Sequence, residues 1–518
     1  MKTKLFLIIC ILFYINSISQ TLDNSFGMNG KVTTSFGSSV SGATEVAIQS
    51  DNKILACGTT KVGTNYQIAL CRFNSDGTLD SSFGTNGKVI SNVGGTNFSG
   101  LQHIAIQTDN KIIVSGINNI GSANYDFAMI RYNSDGTLDN TFGNNGIVIT
   151  DFNNGRDECY SITLQNDGKI ILAGQTYFTG EYYNFGVARY NSNGSLDPTF
   201  GTNGKVSIDF GSNSINPSSN DGAYSIKIQS NGKLILGGWS DYSGTIDVNK
   251  FALTRLTTNG ILDTTFGTNG KVITDFGNDN VILTLAISSD DKIIAGGQIG
   301  FGQNQNTKIG IAKYDSNGFL ETSFGTNGKV QTQIDPIMMK DNIRSLTLQN
   351  DNKIIAGGYS LNSSNYDFSI LRYNSDGNLD SSFNLNGIIN TDFNNSQDRA
   401  YGIIIQNDEK IIVGGFTNSG TNYDFALARY NNTNLNNQNS SIENQFFIYP
   451  NPTKDKIFIQ NNKNTEIENV RIIDILGNTV FEQSKINSEI NLYNISNGIY
   501  LIQITAENKK FNLKFIKD

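Results

Sequence analysis

The stretch Arg131-Tyr132-Asn133-Ser134-Asp135-Gly136-Thr137-Leu138-Asp139-Asn140-Thr141-Phe142-Gly143 decides the fold, because it is one of seven copies. Its central phrase, Leu-Asp-x-x-Phe-Gly-x-Asn-Gly-Lys-Val, begins at Leu22 and returns at Leu79, Leu138, Leu196, Leu262, Leu320 and Leu379, about sixty residues apart each time. Some copies drift: Glu321 stands in place of the Asp, and Asn384 in place of the Gly.

Working outward, each unit holds four runs with strand chemistry. In the first full copy they cover residues 43–49, 53–59, 67–73 and 87–91. Val46 and Ile48 alternate with polar or small neighbours, the period of two expected of a strand. Ser50-Asp51-Asn52 and Asn74-Ser75-Asp76-Gly77 supply turn chemistry between runs. No segment sustains a helical period. Four short strands repeated seven times predict an all-β, seven-bladed β-propeller. The first Gly-Lys-Val strand (30–34) precedes every three-strand set, and the last set, ending at Tyr430, has none after it. The N-terminal strand is therefore expected to complete the seventh blade, which removes an open sheet edge.

The repeated text resembles the delta-60 β-propeller repeat of bacterial surface and secreted proteins, across residues 20–431. That resemblance implies a propeller and no assigned activity. Leu79 and Phe83, with their equivalents, are expected to plug the base between blades, and Arg131 to pair with Asp139.

Composition narrows the function. The 518 residues include 53 Gly, 5 Pro, 4 Cys, 1 His and 1 Trp, and 16% are charged. With 38 Lys+Arg against 46 Asp+Glu the net charge is −8, which argues against a nucleic-acid partner. A single histidine excludes any multi-histidine metal site. His103, on a first strand, reads as a structural polar residue.

In an antiparallel blade the first-to-second and third-to-fourth connections share one face of the disc. The other two connections share the opposite face. The first pair barely varies along this chain, whereas the second differs greatly, as in 60–66 against 240–250 and 92–100 against 209–222. Loops held by a rigid scaffold carry function, so the variable face is the expected binding face. Two features mark it. Aromatics follow the paired glycines of the second strand at Tyr177, Trp239, Tyr359 and Phe416, where they could stack on sugar rings or pack between blades. The starts of the first strands read Ser41, Ser99, Asp157, Asp221, Asn280, Asp341 and Asp398. Asp157, Asp221, Asp341 and Asp398 are expected around the mouth of the channel, as ligands for Ca²⁺ or as residues that begin strands by bonding local amides.

The ends of the chain give an address. Residues 1–19 read as a secretory signal: Lys2 and Lys4, then an apolar run from Leu5 to Ile15, then Ser17-Ile18-Ser19. Such a run makes a helix of about 16 Å, too short for a hydrocarbon core of about 30 Å, so no transmembrane span is expected in the mature protein. Cys57, Cys71 and Cys159 remain after its removal. An odd number favours buried thiols, with a Cys57–Cys71 bridge as the other reading. A polar linker covers 432–445, and 446–518 changes pattern to a small β-sandwich. Tyr449-Pro450-Asn451-Pro452-Thr453, Asp474-Ile475-Leu476-Gly477, Gly498-Ile499-Tyr500 and the final Lys514 and Lys517 resemble the type A C-terminal sorting domain of type IX secretion. The resemblance implies type IX machinery as partner of residues 446–518, passage through the outer membrane, and a secreted or cell-surface destination.

Two functions then compete. One is a binding, adhesion or scaffold propeller for an extracellular glycan, polymer or protein. The other is an extracellular hydrolase or lyase that uses carboxylates at the channel mouth for acid–base work.

Overall fold

The computed structural model describes residues 22–518 apart from 39, 94–96, 122–123, 178–181, 212–219, 242–247, 278, 301–305, 339, 363, 385, 419, 421, 433–445, 450, 462–464, 475–477, 486–487 and 508. The leader at 1–19, most of the linker, and parts of the loops at 92–100, 209–222 and 240–250 lie outside the described residues, as does the Ser99 side chain. The chain divides into two compact units, Met1–Asn432 and Thr433–Asp518.

In the first unit seven antiparallel sheets of four strands form the blades: residues 41–91, 97–150, 158–208, 221–274, 280–332, 341–391, and 398–430 joined by 31–34. Successive first strands touch around the ring, and Asp398–Ile405 of blade 7 touches Ser41–Ile48 of blade 1, so the ring is closed. The N-terminal strand closes blade 7, where Lys31 pairs with Ala428 and Thr34 with Phe425.

The repeated phrase explains how the blades stay together. Phe83, Phe142, Phe200, Phe266, Phe383 and Phe26 are buried. Each lies under an arginine of its own blade, from Arg131 at 4.2 Å above Phe142 to Arg255 at 4.9 Å above Phe266. The same arginines pair with the Asp of the phrase, Arg131 Nε to Asp139 Oδ2 at 2.8 Å and Arg372 Nε to Asp380 Oδ2 at 2.8 Å. Arg255 Nη1 also donates to the Ser316 carbonyl of the next blade at 2.6 Å, and Arg72 reaches the Ser134 carbonyl in the same way. One side chain thus holds its own turn and the next blade. Gly136 must be glycine: its φ is +86°, and a Cβ would sit 2.9 Å from the Phe83 ring of the preceding blade.

A second contact repeats deeper in the blades. Tyr190 Oη donates to Thr150 Oγ1 of the previous blade at 2.8 Å, and Tyr373 Oη to Thr332 Oγ1 at 2.9 Å. Cys57, Cys71 and Cys159 are buried free thiols. Cys57 faces Leu70 and Cys71 faces Ala56, so the two side chains leave opposite sides of the sheet and cannot bridge. Burial pushes the Cys159 thiol up to about 12.

The second unit is a β-sandwich. A three-stranded sheet holds Phe446–Tyr449, Lys456–Asn461 and Glu489–Asn491. A four-stranded sheet holds Ile467–Asp474, Thr479–Ser484, Gly498–Ala506 and Lys509–Lys517. Ile457, Val470, Ile472, Ile502, Ile504 and Phe515 fill its core. Among the described residues no helix is long and apolar enough to cross a membrane.

Candidate functional site

The first strands share an irregularity that builds the site. Pairing with the second strand slips by one residue between Ala43 and Glu45, Cys159 and Ser161, Ala223 and Ser225, Ile343 and Ser345, and Ala400 and Gly402. The skipped residues are Thr44, Tyr160, Tyr224, Arg344 and Tyr401. Such bulges re-aim side chains. They also explain the second glycine of the next strand, since a Cβ on Gly358 or Gly415 would collide with the carbonyl oxygen of Asn342 or Arg399.

The residue after that glycine faces the bulged strand: Trp239 opposite Gly222, Tyr359 opposite Asn342, and Phe416 opposite Arg399. Tyr177 departs from the expected register. Gln175 takes the equivalent place opposite Glu158, and Tyr177 lies two residues further along, 5.2 Å from Tyr183. Tyr359 and Phe416 are brought together through Tyr401, whose ring is 6.1 Å from Tyr359 and stacked 5.8 Å from Phe416.

Arginines interleave with these rings. Arg399 lies 5.3 Å from the Tyr359 centroid and 4.6 Å from that of Tyr366. Arg344 lies 5.4 Å from Tyr401, and its Nη2 donates to Tyr359 Oη at 3.3 Å. Burial works against the Arg344 charge, but Tyr359 and Tyr401 beside it raise its pKa further. Burial raises Tyr401, with Tyr359 adding to it. Arg344 Nε and Arg399 Nε are buried without a hydrogen-bond acceptor. A cleft of about 500 Å³ between blades 7 and 1 is lined by Thr44, Thr59, Arg399, Tyr401, Phe416 and Tyr423. Its walls can stack on a flat apolar face and offer a guanidinium to an anion.

Arg344, Arg399 and Tyr401 escaped the sequence reading. The signal that could have found them is their fixed distance, five or seven residues, before the Gln that follows six of the seven first strands. Tyr160 and Tyr224 occupy the same bulge position in blades 3 and 4, with ring centroids 4.7 Å apart.

The four aspartates are not gathered at one point. Each is fully buried and anchors the loop that leads into its own blade. Asp157 Oδ2 accepts the Phe152 N–H at 2.7 Å, Asp221 Oδ2 the Phe210 N–H at 2.8 Å, Asp341 Oδ2 the Ile334 N–H at 2.7 Å, and Asp398 Oδ2 the Phe393 N–H at 2.6 Å. Burial pushes Asp157 and Asp221 up to about 7 and Asp341 to about 6, and raises Asp398. Asp157 meets Asp126 and Asp151 instead, and Asp398 meets Asp367 and Asp392. His103 Nδ1 lies 3.2 Å from Glu45 Oε2 of blade 1.

Comparison with known proteins fits this architecture. The family described as "Domain of unknown function (DUF5122) beta-propeller" matches residues 49–83, 107–142, 165–200, 229–266, 288–324, 349–383 and 406–434. The family described as "Secretion system C-terminal sorting domain" matches residues 447–518. The chain is similar to the ulvan lyase NLR42 of Nonlabens ulvanivorans, 30% identical over 150 residues, covering 25% of this chain and 28% of that protein's length. Among solved structures it is similar to the polysaccharide lyase Uly1, at 10% identity and a TM-score of 0.45, covering 81% of this chain and 94% of that one. It is also similar to a protein of unknown function from Dyadobacter fermentans, at 10% identity and a TM-score of 0.40, covering 77% and 97%. The chain is a secreted or cell-surface protein that carries seven DUF5122 β-propeller repeats and a C-terminal sorting domain for type IX secretion.

Proposed function

We propose that the mature protein is an exported binding propeller for an acidic polysaccharide, held in the cleft between blades 7 and 1. The carrying observation is Arg399, half-buried between the Tyr359 and Tyr366 rings at the edge of that cleft, with its Nε lacking a protein acceptor. Tyr401 and Phe416 provide a stacked pair of rings for sugar faces. A carboxylate or sulfate would satisfy the guanidinium, for which a neutral glycan has no counterpart. Type IX export places such a module where extracellular polymers are met. The test is calorimetric titration with a uronate-bearing sulfated polysaccharide and with a neutral glucan. Binding of the first alone, lost in Arg399→Ala and Phe416→Ala, supports the reading; equal binding of both, or binding unchanged by the substitutions, overturns it.

A lyase reading draws on the curated relative, which is an ulvan lyase. One oxygen of Asp157 and of Asp341 is bonded to the loop before its own blade, so this reading turns instead to the rings of the cleft. Tyr401, between Arg344 and Phe416 and kept protonated by burial, is then the group to donate a proton to the departing glycosidic oxygen. That reading requires unsaturated uronate products to accumulate with the wild type and to vanish with Tyr401→Phe.

A further inference from the structure

Seven blade junctions repeat one three-residue set that is filled differently from junction to junction. Its first member precedes the third-strand residue paired with the end of the fourth strand. The second member follows the fourth strand, and the third opens the next blade. The pair Phe127–Thr150 fixes Asp126, Asp151 and Asp157 as the set between blades 2 and 3. Each of them offers a carboxylate oxygen, and these oxygens lie within 4.8 Å of one another.

This junction is short of positive charge. Asp126 and Asp157 are 5% and 0% exposed. Asp157 Oδ2 is taken by the Phe152 N–H, and the Tyr177 backbone also favours the Asp157 carboxylate, whereas Asp126 Oδ1 is buried with no hydrogen-bond partner. Lys205 Nζ comes close but donates to the carbonyl oxygen of Asp151 at 2.5 Å. Burial, then repulsion from Asp151, raises both Asp126 and Asp157, as expected where like charges meet away from water.

Another junction shows what the niche accepts. Between blades 4 and 5 the pair Phe251–Thr274 fixes the same positions as Lys250, Asp275 and Asn280. Lys250 is 4% exposed and places Nζ 2.7 Å from Asp275 Oδ1. Asn280 Oδ1 accepts the Phe251 N–H at 3.0 Å. At this junction a buried ammonium stands in place of the first carboxylate, and the third member is a neutral amide. The junction of blades 6 and 7 repeats the acids as Asp367, Asp392 and Asp398, also within 4.8 Å. There Asp398 has both oxygens engaged, by the Phe393 N–H and by Ser396 Oγ at 2.7 Å.

We propose that the junction of blades 2 and 3 binds a divalent cation through Asp126, Asp151 and Asp157, in the place that the Lys250 ammonium takes beside Asp275 after blade 4. A donor set of oxygens with no nitrogen or sulfur suits calcium or magnesium rather than zinc or copper. The site is separate from the cleft of blades 7 and 1 and stands whether or not that cleft binds a polysaccharide.

The experiment uses the full mature chain, stripped with a chelator, with calcium chloride as the probe. Calorimetric titration should give a binding isotherm, and calcium at about a hundred times its Kd should raise Tm by about 3 °C. Asp126→Asn should weaken binding at least about 10-fold. The double variant D126K/D157N copies the lysine junction and should fold with no calcium response, while D367N/D392N should respond as the wild type does. A wild type without a calcium-dependent isotherm or Tm shift overturns the proposal. So does a response that survives in D126K/D157N, or one abolished by D367N/D392N; if the double variant fails to fold, unchanged binding by Asp126→Asn overturns it equally.

Discussion

Asp23 and Arg429 stand at opposite ends of the propeller sequence, yet Asp23 Oδ2 lies 2.8 Å from Arg429 Nε. Lys410 Nζ completes the group at 3.0 Å, and Arg429 covers the Phe26 ring at 4.6 Å. It is the arrangement that Arg72, Asp80, Lys53 and Phe83 make within one blade. The ring is thus locked with the same parts that build each blade. Asp23→Asn leaves Arg429 buried without its counter-charge, and should cost about 3–5 kcal/mol of stability. Thermal unfolding of the variant against wild type checks this; a Tm within error of wild type would mean the seam contributes nothing.

Acid should open that seam. Burial alone would raise Asp23 and Asp380, but hydrogen bonds from Ser25 and Lys410 to the first, and from Ser382 and Lys353 to the second, outweigh it. Both are held at about 2. A carboxylate with a lowered folded-state pKa contributes stability above its unfolded value, near 4, and loses it as pH falls through the folded value. Urea unfolding midpoints should therefore drop between about pH 4 and 2, whereas above about pH 5 they should rise as pH falls, because burial has raised Asp157, Asp221 and Asp341. A midpoint that stays level to pH 2 would contradict this.

The plug residues give a packing prediction. Phe83 is 0% exposed, under Arg72 and against Gly136 of the next blade. Phe83→Ala should cost about 3–5 kcal/mol through lost burial and the cavity left behind. Chemical denaturation measures it, and a loss below about 1 kcal/mol would show that the junction collapses to fill the gap.

How far the sequence carried the account depends on whether a feature repeats. Phe83, Arg131 and Asp139 were legible because seven copies of a short phrase must do the same local job, and a buried ring beside an ion pair is the simplest such job. The closing strand was legible by counting, since one Gly-Lys-Val segment stood without its blade. The aspartates left two readings open. Their shared position before each first strand reads as a ring, but a residue that opens a strand can turn its carboxylate back to the preceding loop, and Asp157, Asp221, Asp341 and Asp398 all do so. Arg344, Arg399 and Tyr401 stayed hidden because a bulge shifts the alternation of inward and outward residues by one, and no pattern of period two announces that shift.

Export has its own test. Residues 447–518 match the sorting-domain family and form a separate sandwich with its own core. Deleting 446–518 should leave a folded propeller that accumulates in the periplasm, seen by fractionation and immunoblot. Normal appearance of that truncation outside the cell would refute the role given to the tail.

The cleft of blades 7 and 1 is the centre of the functional account, and Arg399 is its most direct probe. Titrating the wild type and Arg399→Ala with one uronate-bearing sulfated polysaccharide, with Tm measured on both, separates binding from folding. The account predicts at least about a 10-fold loss of affinity, the scale of a charge-assisted hydrogen bond, with Tm nearly unchanged. Equal affinity in the two proteins would contradict it.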